Sequence, residues 1–204
     1  MDVLTVACIG LAIAAASGFR AFLPLAGLAL LQRSGLALPM SESYDWLASD
    51  TALWILGTAC LLEILADKVP LIDNVLDAVG LVVRPAAGAL AVLAATSGLG
   101  PEFSLLAAVL AVPVTGSIAA TKAAARGAST ASTGGVANPV LSLQEDAFAG
   151  TTLVLAALVP LLVPVFLVLL FLFLRRLFRR LKAAGGVRAA LRRRLRRPSG
   201  TVRP

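Results

Sequence analysis

Five long apolar segments, separated by short polar or charged stretches, dominate the chain. They cover residues 3–31, 51–66, 85–101, 103–121 and 147–174. The last contains 28 consecutive residues without Asp, Glu, Lys or Arg. As a helix it would be about 42 Å long at ~1.5 Å per residue, against ~30 Å for the hydrocarbon core of a bilayer. The pattern therefore predicts an all-α, polytopic membrane protein with five transmembrane helices.

The first segment is unusual because it carries an arginine, Arg20, far from either of its ends. Its 29 residues are too many for one upright helix and too few for two full spans. Gly18 and Pro24 flank the arginine, which favours a broken or kinked helix. A re-entrant first segment would raise the predicted count from five crossings to six.

The connections between the apolar segments differ in character. Residues 73–84 are predicted to form a short amphipathic piece between the second and third segments. Residues 127–143 are small, polar and rich in Gly, Ser and Thr, which predicts a loop before the last segment.

Charge is distributed unevenly between two regions that we predict as separate domains. Residues 1–174, the helical membrane domain, hold six basic and all eleven acidic residues, whereas residues 175–204 hold twelve basic residues and no acidic one. By the positive-inside rule, this tail predicts a cytoplasmic C-terminus and a multi-pass protein of the cell inner membrane. The tail is expected to be disordered or a surface helix on anionic lipid headgroups, and nucleic acid is a less favoured partner.

Composition excludes several kinds of chemistry. The chain has no histidine, so it has no His metal ligand and no Ser-His or Cys-His nucleophile pair. Its two cysteines, Cys8 and Cys60, both lie in apolar segments and are interpreted as small buried residues. We expect no catalytic residue of these types and no cofactor.

Six of the charges form three pairs with a spacing of four residues, which places each pair on one helix face: Glu63 with Asp67, Asp73 with Asp77, and Lys122 with Arg126. Threading the chain from a cytoplasmic tail then brings these charges to one face of the membrane. We therefore predict a substrate or ion pathway, whose candidate residues are Arg20, Glu63, Asp67, Lys68, Asp73, Asp77, Arg84, Lys122, Arg126, Asn138, Glu145 and Asp146. Six acids and five bases are nearly balanced, so a structural ion-pair network is the alternative interpretation.

Arg20 and Glu63 are the most deeply placed of these charges, because each has apolar sequence on both sides. An ionised group at such depth costs roughly 2.5–3.5 kcal/mol on insertion scales, unless it faces a partner or a water-filled cavity. We expect Arg20 to pair with Glu63 or Asp67 and to line a polar cavity.

Four blocks of sequence resemble those of a known family. They are Ser17-Gly18-Phe19-Arg20-Ala21-Phe22-Leu23-Pro24-Leu25, Glu63-x-x-Ala66-Asp67-Lys68-Val69-Pro70-x-x-Asp73-x-x-x-Asp77 with Arg84-Pro85 and Gly88, Lys122-x-x-x-Arg126, and Asn138-Pro139-x-x-Ser142-x-x-Glu145-Asp146. Together they are similar to a family of small bacterial membrane proteins, domain of unknown function 4126. The resemblance covers about residues 3–170 and implies a multi-helix membrane domain without an established activity.

The favoured function is a small transporter or channel-like protein that moves an ion or small polar solute through the charged region. One alternative is a non-catalytic membrane scaffold. Another is a Mg²⁺-dependent enzyme acting on lipid phosphates, in which Asp73 and Asp77 would hold the metal. Ala87, Ala91 and Ala95 permit close helix packing, either within one chain or between copies in a homo-oligomer.

Overall fold

The computed structural model describes residues 1–34, 38, 40–172 and 175–176. Helices joined by short turns make up most of these residues, and no strand occurs among them, so the all-α class is confirmed. In chain order the helices are α1 (Val3–Phe19), α2 (Phe22–Arg33), a 3₁₀ helix (Glu42–Ala48), α3 (Asp50–Ala66), α4 (Pro70–Thr96), α5 (Pro101–Thr133), α6 (Asn138–Leu158) and α7 (Pro160–Leu172).

The first apolar segment forms two helices, as the broken-helix interpretation expected. The break lies at Arg20, whose backbone is extended with φ −138° and ψ 120°. After the break, α2 returns towards the end of the bundle at which α1 begins. Two contacts indicate this direction. Ser41, which follows α2 in the chain, donates its amide to the Ser97 hydroxyl at the end of α4, at 2.8 Å. The residue before Ser97, Thr96, lies beside Gly10 in the first half of α1.

Two predicted connections are helical, so the predictions of a separate amphipathic piece and of a long loop were wrong. Residues 73–84 belong to α4, which continues without interruption through Pro85. A proline removes only one backbone donor from a helix, and packing on both sides of it maintains the rest. Similarly, α5 runs to Thr133 and ends at Gly134 in the left-handed conformation, so the loop before α6 shrinks to residues 134–137.

The long uncharged segment is not one helix, contrary to the prediction of a single 28-residue span. Helix α6 ends at Leu158, and Val159 takes a non-helical conformation with φ −144° and ψ 71°. Helix α7 then starts at Pro160. A proline at the first position of a helix is favourable, because its missing N–H would have no partner there.

Small residues allow α1, α4 and α5 to approach closely in the centre of the bundle. A Cβ atom added to Gly18 would lie 2.5 Å from the Cβ of Ile118, and one added to Gly88 would lie 2.6 Å from the Thr115 hydroxyl. That hydroxyl donates to the Ala14 carbonyl of α1 at 2.8 Å. The contacts fix the helices that carry the charged residues described below.

Residues Met1–Pro164 form one compact unit, and a second unit begins at Val165. Two helices of the described residues, Val75–Leu99 and Pro101–Thr133, are long and apolar enough to cross a membrane. A third is added if Glu42–Ala48 and Asp50–Ala66, which meet at 65°, form one bent span. The predicted count of five or six spans is therefore not confirmed. The predicted tail lies outside the described residues, except for 175–176.

Candidate functional site

All twelve candidate residues meet at one end of the helical unit. Hydrogen bonds and ion pairs connect them into a single group, which we call the charge cluster. Its members are Arg20, Glu63, Asp67, Lys68, Asp73, Asp77, Arg84, Lys122, Arg126, Asn138, Glu145 and Asp146. Four chain regions supply them: the α1–α2 break, the stretch from the last turn of α3 to the middle of α4, the second half of α5 and the first three turns of α6. Their role as a pathway stays a prediction.

Arg20 is fully buried at the break between α1 and α2. Its guanidinium donates to Asp67 at 2.6 Å, to Asp146 at 2.7 Å and to the Ser142 hydroxyl at 3.0 Å. It also donates to the backbone carbonyl of Glu63 at 3.0 Å. The expected pairing of Arg20 with Asp67 is thus present, and one side chain joins α1, α3 and α6.

Glu63 caps the start of α2. Its carboxylate accepts hydrogen bonds from the backbone N–H groups of Ala21 at 2.9 Å and Phe22 at 3.2 Å. Because the first N–H groups of a helix lack partners within it and form its positive end, a carboxylate there is stabilised. The helix break therefore creates a binding position for one negative charge, and Glu63 occupies it.

Asp67 is the centre of the cluster. One of its oxygens, Oδ2, accepts from three cationic side chains: Arg20 at 2.6 Å, Lys122 at 2.8 Å and Arg126 at 3.2 Å. Burial acts to raise the pKa of this carboxyl, but Lys122, Arg20 and Arg126 outweigh it and hold the pKa below its usual value. Asp67 is therefore ionised and neutralises charge from three directions.

The two bases of α5 lie one helical turn apart and share a further acid. Arg126 donates to Glu145 at 2.6 Å, and Lys122 lies 3.3 Å from the same carboxylate. Lys122 also donates to the backbone carbonyl of Phe19, the last residue of α1, at 3.1 Å. These contacts attach α5 to both α6 and the helix break.

Arg84 folds back along α4 to reach Asp77, at 3.0 Å. Gly80 makes room for it, because a Cβ atom at that position would lie 2.6 Å from the guanidinium carbon. Although Arg84 is buried, its Nε and one Nη have no hydrogen-bond partner among the described residues, and Glu63 is 4.0 Å away. Arg84 therefore retains unused donors inside the cluster.

The two acids considered as magnesium ligands contact protein groups instead. Asp73 accepts from the Asn138 amide at 2.8 Å, whereas Asp77 pairs with Arg84. Within the described residues there is no group of three or more His, Cys, Asp or Glu side chains arranged to hold a metal ion. The geometry gives no support to a magnesium site.

Two hydroxyl-bearing residues that the candidate set left out also bind members of the charge cluster. Ser142 accepts from Arg20, and Thr130 accepts from Asn138 at 3.0 Å. Both were detectable by helical spacing, because Ser142 follows Asn138 by four residues and Thr130 follows Arg126 by four.

Two pockets within the described residues lie away from the charge cluster. One, of about 440 Å³, lies between α2 and α3 and is lined by Leu30, Trp54 and Leu61 among others. The second, of about 330 Å³, is lined by apolar residues of α1, α4 and α5 together with Thr96. None of the twelve candidates lines either pocket, and the polar cavity at the charge cluster stays a prediction.

The fold and the cluster together define a helical protein with membrane-length apolar helices that meet around a core of ion pairs. A family model described as a domain of unknown function, DUF4126, matches residues 7–180. The chain belongs to this family. No curated protein and no solved structure gives a significant match.

Proposed function

We propose that this chain is an integral membrane protein that moves an ion or small polar solute through its charge cluster. The observation that carries the proposal is the fully buried Arg20 at the break between two helices, bound to an acid that also receives Lys122 and Arg126. Burying so many charges in a membrane domain is costly, and such residues commonly mark translocation paths.

The helix break supports a carrier-like site. Transporters commonly bind their ions where a membrane helix is interrupted, because the exposed helix ends provide partial charges inside the protein. Here Glu63 occupies the positive end of α2, and Arg20 lies at the end of α1. Replacement of Glu63 by a substrate anion, or a change in its protonation, would open the contacts between α2 and α3.

We also propose that α1, α3, α4, α5 and α6 cross the bilayer, and that α2, whose 12 residues are too few to span the hydrocarbon core alone, lies within it as the second arm of a re-entrant first segment. The turn at Arg20 makes α1 and α2 an antiparallel pair, which corresponds to the re-entrant form of the first segment. All six helices then bring one end to the cluster, near a single face of the inner membrane. The basic residues 175–204 favour a cytoplasmic C-terminus.

A structural scaffold is the second candidate, and one observation favours it. Among the described residues, twelve ion pairs lie within the cluster, where six acids face five bases, and none of the cluster residues lines the two pockets. Such a network can hold helices together without moving a solute. A scaffold predicts that conservative changes in the cluster alter folding only.

Solid-supported-membrane electrophysiology on proteoliposomes tests the proposal. Protons, common cations and small anions are screened with the wild-type protein and with Glu63→Gln. The amide oxygen introduced by this substitution can accept from one of the two backbone N–H groups, Ala21 or Phe22, and the melting temperature of the variant checks that it folds. A substrate-dependent current in the wild type that Glu63→Gln loses would support transport through the cluster.

The matched control is Asp50→Asn, which removes an exposed acid from the opposite end of α3. It is expected to keep the wild-type current. No current with any ion from folded wild-type protein, or equal currents in all three proteins, would contradict electrogenic transport through the cluster.

A further inference from the structure

Asp73 differs from the other five acids of the cluster because, among the described residues, it has neither a base within 3.0 Å nor a backbone N–H partner. Its nearest base is Arg126, at 3.6 Å from Oδ2, whereas Asp67, Asp77, Glu145 and Asp146 all have a base within 3.0 Å. Glu63 also lacks one but accepts two backbone N–H groups. Asp73 is 0% exposed, so water does not solvate its charge. Its ionised form is the least compensated of the six.

None of the neighbouring helices provides Asp73 with a cation of its own. On α5, Arg126 is already shared with Asp67, Asp77 and Glu145. On α4, the carboxylate of Asp77 lies one turn further along and disfavours a second negative charge. From α6, the contact is the neutral amide of Asn138.

Two buried oxygens at this position lack a donor. Asn138 is 0% exposed, and its Nδ2 donates to Asp73 Oδ2 at 2.8 Å and to the Thr130 hydroxyl at 3.0 Å. Asn138 Oδ1 and Asp73 Oδ1 have no hydrogen-bond partner among the described residues. Because Asp73 Oδ2 accepts, the amide nitrogen of Asn138 faces it, whereas the Thr130 hydroxyl could serve either orientation. An unpaired buried acceptor is costly, and this pair contains two.

A single proton on Asp73 would neutralise its uncompensated charge and would supply the missing hydrogen-bond donor. If Asp73 Oδ1 is protonated, its O–H can donate to Asn138 Oδ1 while Nδ2 of Asn138 still donates to Oδ2, which gives a paired carboxyl and carboxamide. The cluster then contains five ionised acids and five bases, so its net charge falls from −1 to zero. A metal cation fits less well, because it requires several oxygen ligands and the described residues provide no such group.

We infer that Asp73 is the proton-binding residue of the cluster, with Asn138 as the residue that positions its proton at neutral pH. Proton uptake converts the carboxylate to a carboxylic acid, and release returns the proton to water with no other bond changed. Identifying this proton as the transported ion rests on the proposed function, whereas the occupancy of Asp73 does not.

Infrared spectroscopy of the whole purified protein in lipid tests the occupancy. At neutral pH the wild type is expected to show the carbonyl stretch of one protonated carboxyl group, which shifts in deuterated buffer. Asp73→Asn should lose this band and Asp50→Asn should keep it. Asn138→Leu should shift the band, because the hydrogen bond from the carboxyl group is lost.

Labelling of the wild type with ¹³C-aspartate provides a test that needs no variant to fold. The band should move on labelling, since it arises from an aspartate. No protonated-carboxyl band in the wild type, a band insensitive to the label, or a band retained in Asp73→Asn would overturn the inference.

Proton flux into proteoliposomes, read with an entrapped pH dye, separates the two claims. Flux in the wild type that Asp73→Asn loses would identify the proton as the transported ion. The band without any flux would support the occupancy of Asp73 and contradict proton transport. Equal flux in both proteins would show that the proton does not travel through Asp73.

Discussion

The two ends of the α2–α3 pair each carry an arginine–aspartate ion pair, in opposite surroundings. At one end Arg33 meets Asp50, with side chains 52% and 75% exposed. At the other end Arg20 meets Asp67, and both side chains are 0% exposed. The chemical groups are identical, so any difference between these pairs comes from burial and from their neighbours.

Burial determines what each pair contributes. Exposed ions are solvated and screened, so their pairing typically contributes about 0–1 kcal/mol. A buried ion that loses its partner retains an uncompensated charge, which typically costs about 3–5 kcal/mol. The exposed pair should therefore be dispensable, whereas loss of either member of the buried pair should be strongly destabilising.

The largest effect is expected for Asp67→Asn. This substitution removes the negative charge shared by Arg20, Lys122 and Arg126. We expect a loss of about 3–5 kcal/mol of stability, or failure to accumulate folded protein. Thermal unfolding in detergent, followed by helical circular dichroism, measures the effect. Melting behaviour equal to that of Asp50→Asn would refute the distinction between the two ends.

A substitution at Gly18 tests whether helix packing holds the buried end together. In Gly18→Val the new Cβ would start 2.5 Å from Ile118 and 3.0 Å from the Thr115 carbonyl, so α1 and α5 must separate. Overpacking of this kind typically costs about 1–3 kcal/mol. The same melting experiment with Gly57→Ala is the control, because nothing lies within 4 Å of that position. Similar melting temperatures for the two variants would contradict close α1–α5 packing.

Gly80→Ala should have a smaller but specific effect. Its methyl group would start 2.6 Å from the guanidinium carbon of Arg84 and push this side chain away from Asp77. We expect the variant to lose about 1–2 kcal/mol of stability, within the range for overpacking. Gly127→Ala, on the open side of α5, should be neutral or slightly stabilising. If Asp77→Asn together with Gly80→Ala loses as much as the sum of the two single changes, they do not act through Arg84.

The smallest effect on stability is expected at the exposed end of the α2–α3 pair. Arg33→Ala removes the partner of Asp50, and the free energy of unfolding should change by less than about 1 kcal/mol. High salt should reduce even this difference, because screening weakens the exposed pair. Comparison of melting temperatures at low and high ionic strength measures it. A large, salt-independent loss would mean that this pair is as important as the buried one.

The sequence predicted the parts of the molecule that depend on local pattern. Long apolar segments indicated helices, and four-residue spacing placed Glu63 with Asp67 and Lys122 with Arg126 on common faces. The break near Arg20 was expected, because the segment is too long for one upright helix and Gly18 and Pro24 flank the arginine. These features follow from helix geometry and the cost of burying charge.

Tertiary context determined what the sequence could not. Pro85 lies within a continuous helix, whereas Pro160 begins a new one after a break at Val159. The small polar residues near the end of α5 are helical, and the Ser132 and Thr133 hydroxyls donate to carbonyls one turn earlier within the same helix. Likewise, spacing alone could not show that three bases converge on Asp67.

The central claim is that the charge cluster moves an ion and does more than hold helices together. Its most direct test is the ion-dependent current of Glu63→Gln, measured beside its melting temperature and those of the wild type. We predict a melting temperature close to that of the wild type and loss of the wild-type current. An unchanged current in the folded variant, or no current from the wild type, would contradict the claim.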